Sequence, residues 1–129
     1  MTCLESDFLI ALMHKDAEAV QKFLNLEKGS LPLCITPITA AELFHGAFKS
    51  KNPSELEKVE SVLSALGFLY FDFLSAKYCG SIMAFLDKAG HIGDLDTLTG
   101  AICARYGETL VTKNIKHFSK IKNLKIETW

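Results

Sequence analysis

A three-layer α/β sandwich, with a central parallel sheet flanked by helices, is the fold class that this 129-residue sequence predicts. Three observations lead there. Short apolar runs alternate with stretches whose apolar residues recur at helical spacing, the pattern of βαβ units. Polar caps followed by proline open several of those stretches and glycines close them, so the elements are punctuated. A hydrophobic content of 49% over this length supplies the core of one domain, residues 1–129, and not of two.

The first strand is expected over about residues 2–5, followed by helices through Phe8–Met13 and Ala17–Leu26. Gly29 and Ser30 break that pattern, and Leu33-Cys34-Ile35 reads as the second strand. Thr36 before Pro37 is an N-cap with proline at the first helical position, and the helix it opens runs to about Phe48. Asn52-Pro53 repeats the signal, and Leu56, Val59, Leu63 and Leu66 then recur at helical spacing until Gly67. Phe68–Phe71 reads as the third strand, and Asp72 as the cap of a long helix ending at Gly90. Asp94 reads as the cap of another helix, running to Gly107. Thr109–Thr112 and Leu124–Glu127 are the fourth and fifth strands.

Composition excludes several classes of function. No run approaches 18 apolar residues, and Glu5 and Asp7 stand where a secretory leader needs a basic and then an apolar region. The expectation is a cytoplasmic protein without a membrane segment. Cys3, Cys34, Cys79 and Cys103 form no C-x-x-C pair and read as buried small apolar residues. The four histidines show no metal-ligand spacing, which argues against a transition-metal centre. A net charge of −1 gives no general basic footprint for nucleic acid, so any such contact must be local. Lys113, Lys116, Lys120, Lys122 and Lys125 are one candidate, and a solvated face is the plainer reading of that run.

Open parallel sheets bind ligands beyond the carboxyl ends of their strands, so the polar residues there come first. Glu5-Ser6-Asp7 closes the first strand, and Ser6 or Asp7 reads as the cap of the first helix. A cap does not explain Glu5. Thr39, Glu42 and His45 or Gly46 share one stripe of the helix after Pro37, which faces either water or the strand ends. Asp96 shares its helix face with Thr99, Gly100 and Cys103, all small, an arrangement that lets another backbone approach an inward acid. Carboxylates gathered without a histidine or thiolate cluster suit a hard divalent cation, Mg²⁺ or Mn²⁺, and phosphodiester hydrolysis is a natural use for such a site.

Four motifs carry a family resemblance: Leu4-Glu5-Ser6-Asp7-Phe8-Leu9-Ile10; Ile38-Thr39-Ala40-Ala41-Glu42-Leu43 with Gly46; Ile92-Gly93-Asp94-Leu95-Asp96-Thr97-Leu98; and Leu110-Val111-Thr112-Lys113-Asn114 with His117-Phe118. In this order they resemble the motifs of PIN domains over essentially the whole chain, and most closely those of the VapC-type toxins of prokaryotic type II toxin-antitoxin pairs. The resemblance implies a PIN-like sandwich, an Mg²⁺- or Mn²⁺-dependent endoribonuclease, an RNA substrate, a homodimer and a VapB-type antitoxin as partner. By position it implies Glu5, Glu42 and Asp96 as the catalytic and metal-binding acids, with Asp94 and Asn114 as further metal ligands and Ser6, Asp7 and Thr112 as supporting polar residues. Two positions depart from the family pattern. Glu5 stands for an aspartate and is longer by one C–C bond, about 1.5 Å, and Asn114 occupies a position often held by aspartate. Glu5 leaves a second reading open, a PIN module that binds RNA or a protein without cutting. Nine phenylalanines fill the core or leave apolar surface for a partner, with the helix around Leu56–Leu66 as one contact face.

Overall fold

The computed structural model describes residues 1–129. Its elements follow in the order β1 (Thr2–Leu4), α1 (Ser6–Met13), α2 (Ala17–Glu27), β2 (Leu33–Ile35), α3 (Pro37–Ser50), α4 (Pro53–Ser64), β3 (Gly67–Phe68), α5 (Phe73–Ala89), α6 (Asp94–Tyr106), β4 (Thr109–Val111), α7 (Ile115–Phe118) and β5 (Lys125–Glu127). All strand pairs are parallel and the sheet order is β3-β2-β1-β4-β5. The chain therefore builds outward from β1 to one edge and then returns to the other side of β1. That reversal makes a crevice beyond the ends of β1 and β4, where open α/β sheets bind ligands.

Period-2 alternation sends side chains to the two sheet faces. Cys3, Cys34 and Leu110 enter a core with α5, α6 and α7, and Leu4, Ile35 and Val111 enter a second core with α1, α3 and α4. All four cysteines are buried free thiols, as their isolated spacing implied. No helix is long and apolar enough to cross a membrane.

The predicted caps at Thr36, Asn52 and Asp72 form. Thr36 Oγ1 accepts from the Thr39 amide at 3.2 Å, Asn52 Oδ1 from that of Ser54 at 3.0 Å, and Asp72 Oδ1 from that of Ser75 at 2.7 Å. The same bond, with the Ser75 hydroxyl and nearby Arg105, holds the Asp72 carboxyl below its ordinary value, so this acid serves its helix.

Three local expectations need correction. Glu5, rather than Ser6 or Asp7, caps α1, its Oε2 accepting from the Asp7 amide at 3.0 Å, so β1 stops at Leu4 and the helix starts at Ser6. Gly93, at φ 94°, precedes α6 with no side-chain cap, and Asp94 is the first helical residue. The third strand keeps only Gly67–Phe68, because its one partner, β2, ends at Ile35, which pairs with Phe68.

The phenylalanines also divide differently from the core reading. Phe8 and Phe118 are fully buried, whereas Phe48, Phe68, Phe71, Phe73 and Phe85 are exposed. The apolar stripe of α4 is not a free face: Val59 and Leu63 are buried in the same core as Leu43 and Ala47 of α3. Exposed apolar surface gathers instead along β3 and the first turns of α5.

Gly100 is the contact that brings α7 to the site. A Cβ there would overlap Ile121 Cδ1, the far end of a flexible side chain, and come within 3.3 Å of Phe118 Cδ1, so the segment after β4 lies close against α6 and Ile121 would have to shift for a larger residue. Gly100→Ala is expected to cost up to about 2 kcal/mol, the overpacking of about 1–3 kcal/mol less the roughly 1 kcal/mol that alanine gains over glycine inside a helix, measured as a lower denaturant midpoint with an unchanged slope.

Candidate active site

Three separate elements deliver three carboxylates to the crevice. Glu5 sits at the β1–α1 junction, Glu42 in the second turn of α3 and Asp96 in the first turn of α6. One oxygen of each lies within 4.8 Å of the others. Helices after parallel strands begin at the strands' carboxyl ends, which brings the early turns of α1 and α3 together there. Thr39 is buried and His45 exposed, so the polar stripe of α3 runs from the strand ends out to water, with half-buried Glu42 between. The extra methylene of Glu5 does not keep it out of the cluster.

The electrostatics are those of acids crowded together. Glu5 is only 4% exposed, and burial first, then the neighbouring Asp7 carboxyl, raises its pKa to about 7 against the pull of the Asp7 amide and the Ser6 hydroxyl. Ser6 Oγ donates to Glu5 Oε1 at 2.7 Å. Burial likewise raises Glu42, with the charges of Asp96 and Asp7 adding to the rise and the Ser6 hydroxyl opposing it. No lysine or arginine forms an ion pair with any of the three.

Asp7 joins the first and fourth motifs. Its Oδ2 accepts from the Thr112 hydroxyl at 3.0 Å and the Lys113 amide at 2.8 Å, and Thr112 Oγ1 in turn accepts from the Asn114 amide at 3.0 Å. Asp7 Oδ1 is buried without a partner. An orphaned carboxylate oxygen beside three mutually repelling acids fits a site completed by a cation, and the all-oxygen donor set fits a hard one.

Asn114 precedes α7, where its Nδ2 donates to Asp96 Oδ2 at 3.1 Å. His117, three residues on, places Nδ1 2.8 Å from the same oxygen. His117 was not among the residues singled out for the site. Its sequence signals are its place in the fourth motif and the i, i+3 spacing to Asn114, which puts both on one side of a helix. Asp94 does not join the cluster; it lines a separate cavity of about 270 Å³ with Asp87 and His91.

Fold and acids together define a PIN domain: the chain belongs to the PIN-domain family, whose model matches residues 2–124. Within that family its relatives are VapC ribonucleases. The chain is 31% identical to the tRNA(fMet)-specific endonuclease VapC of Salmonella typhimurium, and 30% identical to Ribonuclease VapC2 of Rickettsia felis, over 98% of this chain and 96% of each relative. It also superposes on the crystal structure of VapBC2 from Rickettsia felis bound to a promoter DNA fragment, with a TM-score of 0.90 at 30% identity, covering 99% of this chain and 98% of that one. The DNA-bound VapBC structure from Salmonella typhimurium gives a TM-score of 0.86 at 30% identity, covering 100% and 99% of the two chains.

Proposed function

We propose that this chain is a divalent-metal-dependent endoribonuclease, the toxin of a VapBC-type pair, acting in the cytoplasm. The observation that carries the reading is the meeting of Glu5, Glu42 and Asp96 within 4.8 Å at the sheet's topological switch point. Each acid would hold Mg²⁺ or Mn²⁺ through one oxygen. When bound, the ion supplies positive charge that stabilises the phosphate oxygens and makes water acidic enough to attack near neutral pH.

The chain's own groups do the rest. Ser6 holds Glu5 Oε1, and Asn114 and His117 hold Asp96 Oδ2. Glu42 is less buried than Glu5, and the oxygen of it that does not hold the ion would be the one to take the proton of the attacking water. Asp7 ties the loop after β1 to the loop after β4, and so fixes the distance between Glu5 and the Asn114 side of the site.

A groove of about 220 Å³ opens beside Glu42, with Ile10, Met13, Leu43 and Val59 among its lining. Its apolar wall ending on acids supports occupation by an antitoxin segment that carries an apolar anchor and a cation. The exposed Tyr70 and Phe73, at 65% and 83%, with Phe71 and Leu74 exposed beside them in the chain, leave apolar surface that supports a homodimer.

RNA cleavage in Mg²⁺ tests the reading. EDTA is expected to stop it and added Mn²⁺ to restore it, with single-stranded DNA of the same sequence left intact. Cleavage unaffected by EDTA would overturn the metal site. A native protein that binds RNA inertly, with activity appearing only in Glu5→Asp, would make it a non-cleaving module.

A further inference from the structure

Asp96 is held by two donors on one oxygen. Asn114 Nδ2 lies 3.1 Å from Oδ2 and His117 Nδ1 lies 2.8 Å from it, and the two nitrogens are themselves 3.1 Å apart. A carboxylate oxygen only accepts, so His117 must carry its proton on Nδ1, and the short nitrogen–nitrogen distance is that of two donors converging on one acceptor. Both lone pairs of Oδ2 are then used. Asp96 Oδ1 is the oxygen left for the acidic cluster.

We infer that His117 is a positioning residue of the site: with Asn114 it locks the Asp96 carboxylate so that Oδ1 alone faces the ion, and the segment after β4 acts on the metal through Asp96. The inference rests on the metal-site reading above. Its geometric basis is independent of protonation, because Nδ1–H donates in the neutral tautomer and in the imidazolium alike. Three features of the fold make the contact possible. Gly100, one turn beyond Asp96 on α6, admits Phe118 and Ile121 against the helix. Phe118 is fully buried and anchors α7. Asn114 and His117, three residues apart, then lean toward the same oxygen. His117 itself keeps 42% of its side chain exposed and Asp96 only 21%, so the imidazole covers the acid from the solvent side.

Groups that orient a metal ligand typically change metal affinity or activity by 10- to 100-fold when removed. Mn²⁺ titration by calorimetry, with RNA cleavage measured at saturating Mn²⁺, tests the role in the native chain and in His117→Ala, His117→Phe and His117→Asn. His117→Ala and His117→Phe are expected to weaken Mn²⁺ binding by about tenfold or more and to lower kcat, with KM for RNA unchanged. His117→Asn, whose amide nitrogen stands close to the position of Nδ1, is expected to recover most of both. Native Mn²⁺ affinity in His117→Ala overturns the inference, as does a phenylalanine that works as well as histidine, since the ring would then serve packing alone. Glu42→Gln separates the two levels of the reading. If it loses Mn²⁺ binding while His117→Ala does not, only the positioning role fails; if it binds Mn²⁺ like the native chain, the metal site itself fails.

Discussion

Asp96→Asn is expected to abolish RNA cleavage for practical purposes, lowering kcat by about a thousandfold or more with the fold intact. The size follows from what one carboxylate contributes. Charge stabilisation at a metal-assisted phosphodiester centre is worth several kcal/mol, and about 4 kcal/mol is a factor of about a thousand. The amide is nearly isosteric and keeps an oxygen for the Asn114 and His117 donors, so unfolding measurements should change little. Its own NH₂ can point toward Glu5 and Glu42 and would donate to them, which removes the repulsion that a cation otherwise relieves. Single-turnover cleavage at saturating Mn²⁺ reads the loss. A variant within tenfold of native would mean that Asp96 does not face the reacting phosphate.

A second large effect concerns pH and Glu5. Its carboxyl titrates near 7 in the folded protein against an ordinary value of 4.5. The folded state therefore binds more protons than the unfolded state between those values, and stability must fall as pH rises across the window. The contribution is fully present below pH 4.5 and lost above about 7, and a difference of this size corresponds to about 3 kcal/mol. Glu42 is raised as well and slopes in the same direction.

Glu5→Gln should accordingly stabilise the metal-free protein at pH 8, by roughly 10 °C in Tm for a domain of this size, and flatten its Tm between pH 5 and 8. Divalent ion should do for the native chain at pH 8 what the substitution does without ion. Because the ion must displace the Glu5 proton, its apparent affinity should fall close to tenfold for each pH step below 7, with a proton released on binding. A metal-free Tm that rises from pH 5 to pH 8 would contradict this account of the acid cluster.

Where the determinants were local, the sequence was enough. Thr36-Pro37, Asn52-Pro53 and Asp72 each cap a helix through a bond to an amide two or three residues on, so their reading needs no tertiary information. Glu5 is harder to place, because glutamate is an uncommon cap, and here one side chain both caps α1 and joins the acid cluster. The run Phe68–Phe71 looks like a strand, yet only Phe68 of it belongs to β3; Tyr70 and Phe71 are exposed, and hydrophobicity alone does not distinguish a core run from a surface patch. The three acids were placed by motif order, and their convergence depends on the crossing of α3 and α6 over the sheet. His117 stands in the fourth motif, but its role is not legible there, because its partner, Asp96, is 21 positions away and the two meet only in the fold. Asp94, the secondary candidate of the same motif, turns to a different cavity, since residues two apart on a helix do not share a face.

The most direct test is a crystal of the native chain grown in Mn²⁺ and measured for anomalous scattering. A peak is expected among Glu5, Glu42 and Asp96, with carboxylate oxygens at about 2.1 Å, the octahedral distance for a small hard cation, and with Asp96 contributing Oδ1. A fully occupied peak elsewhere on the chain, with these three acids unliganded, would contradict the account.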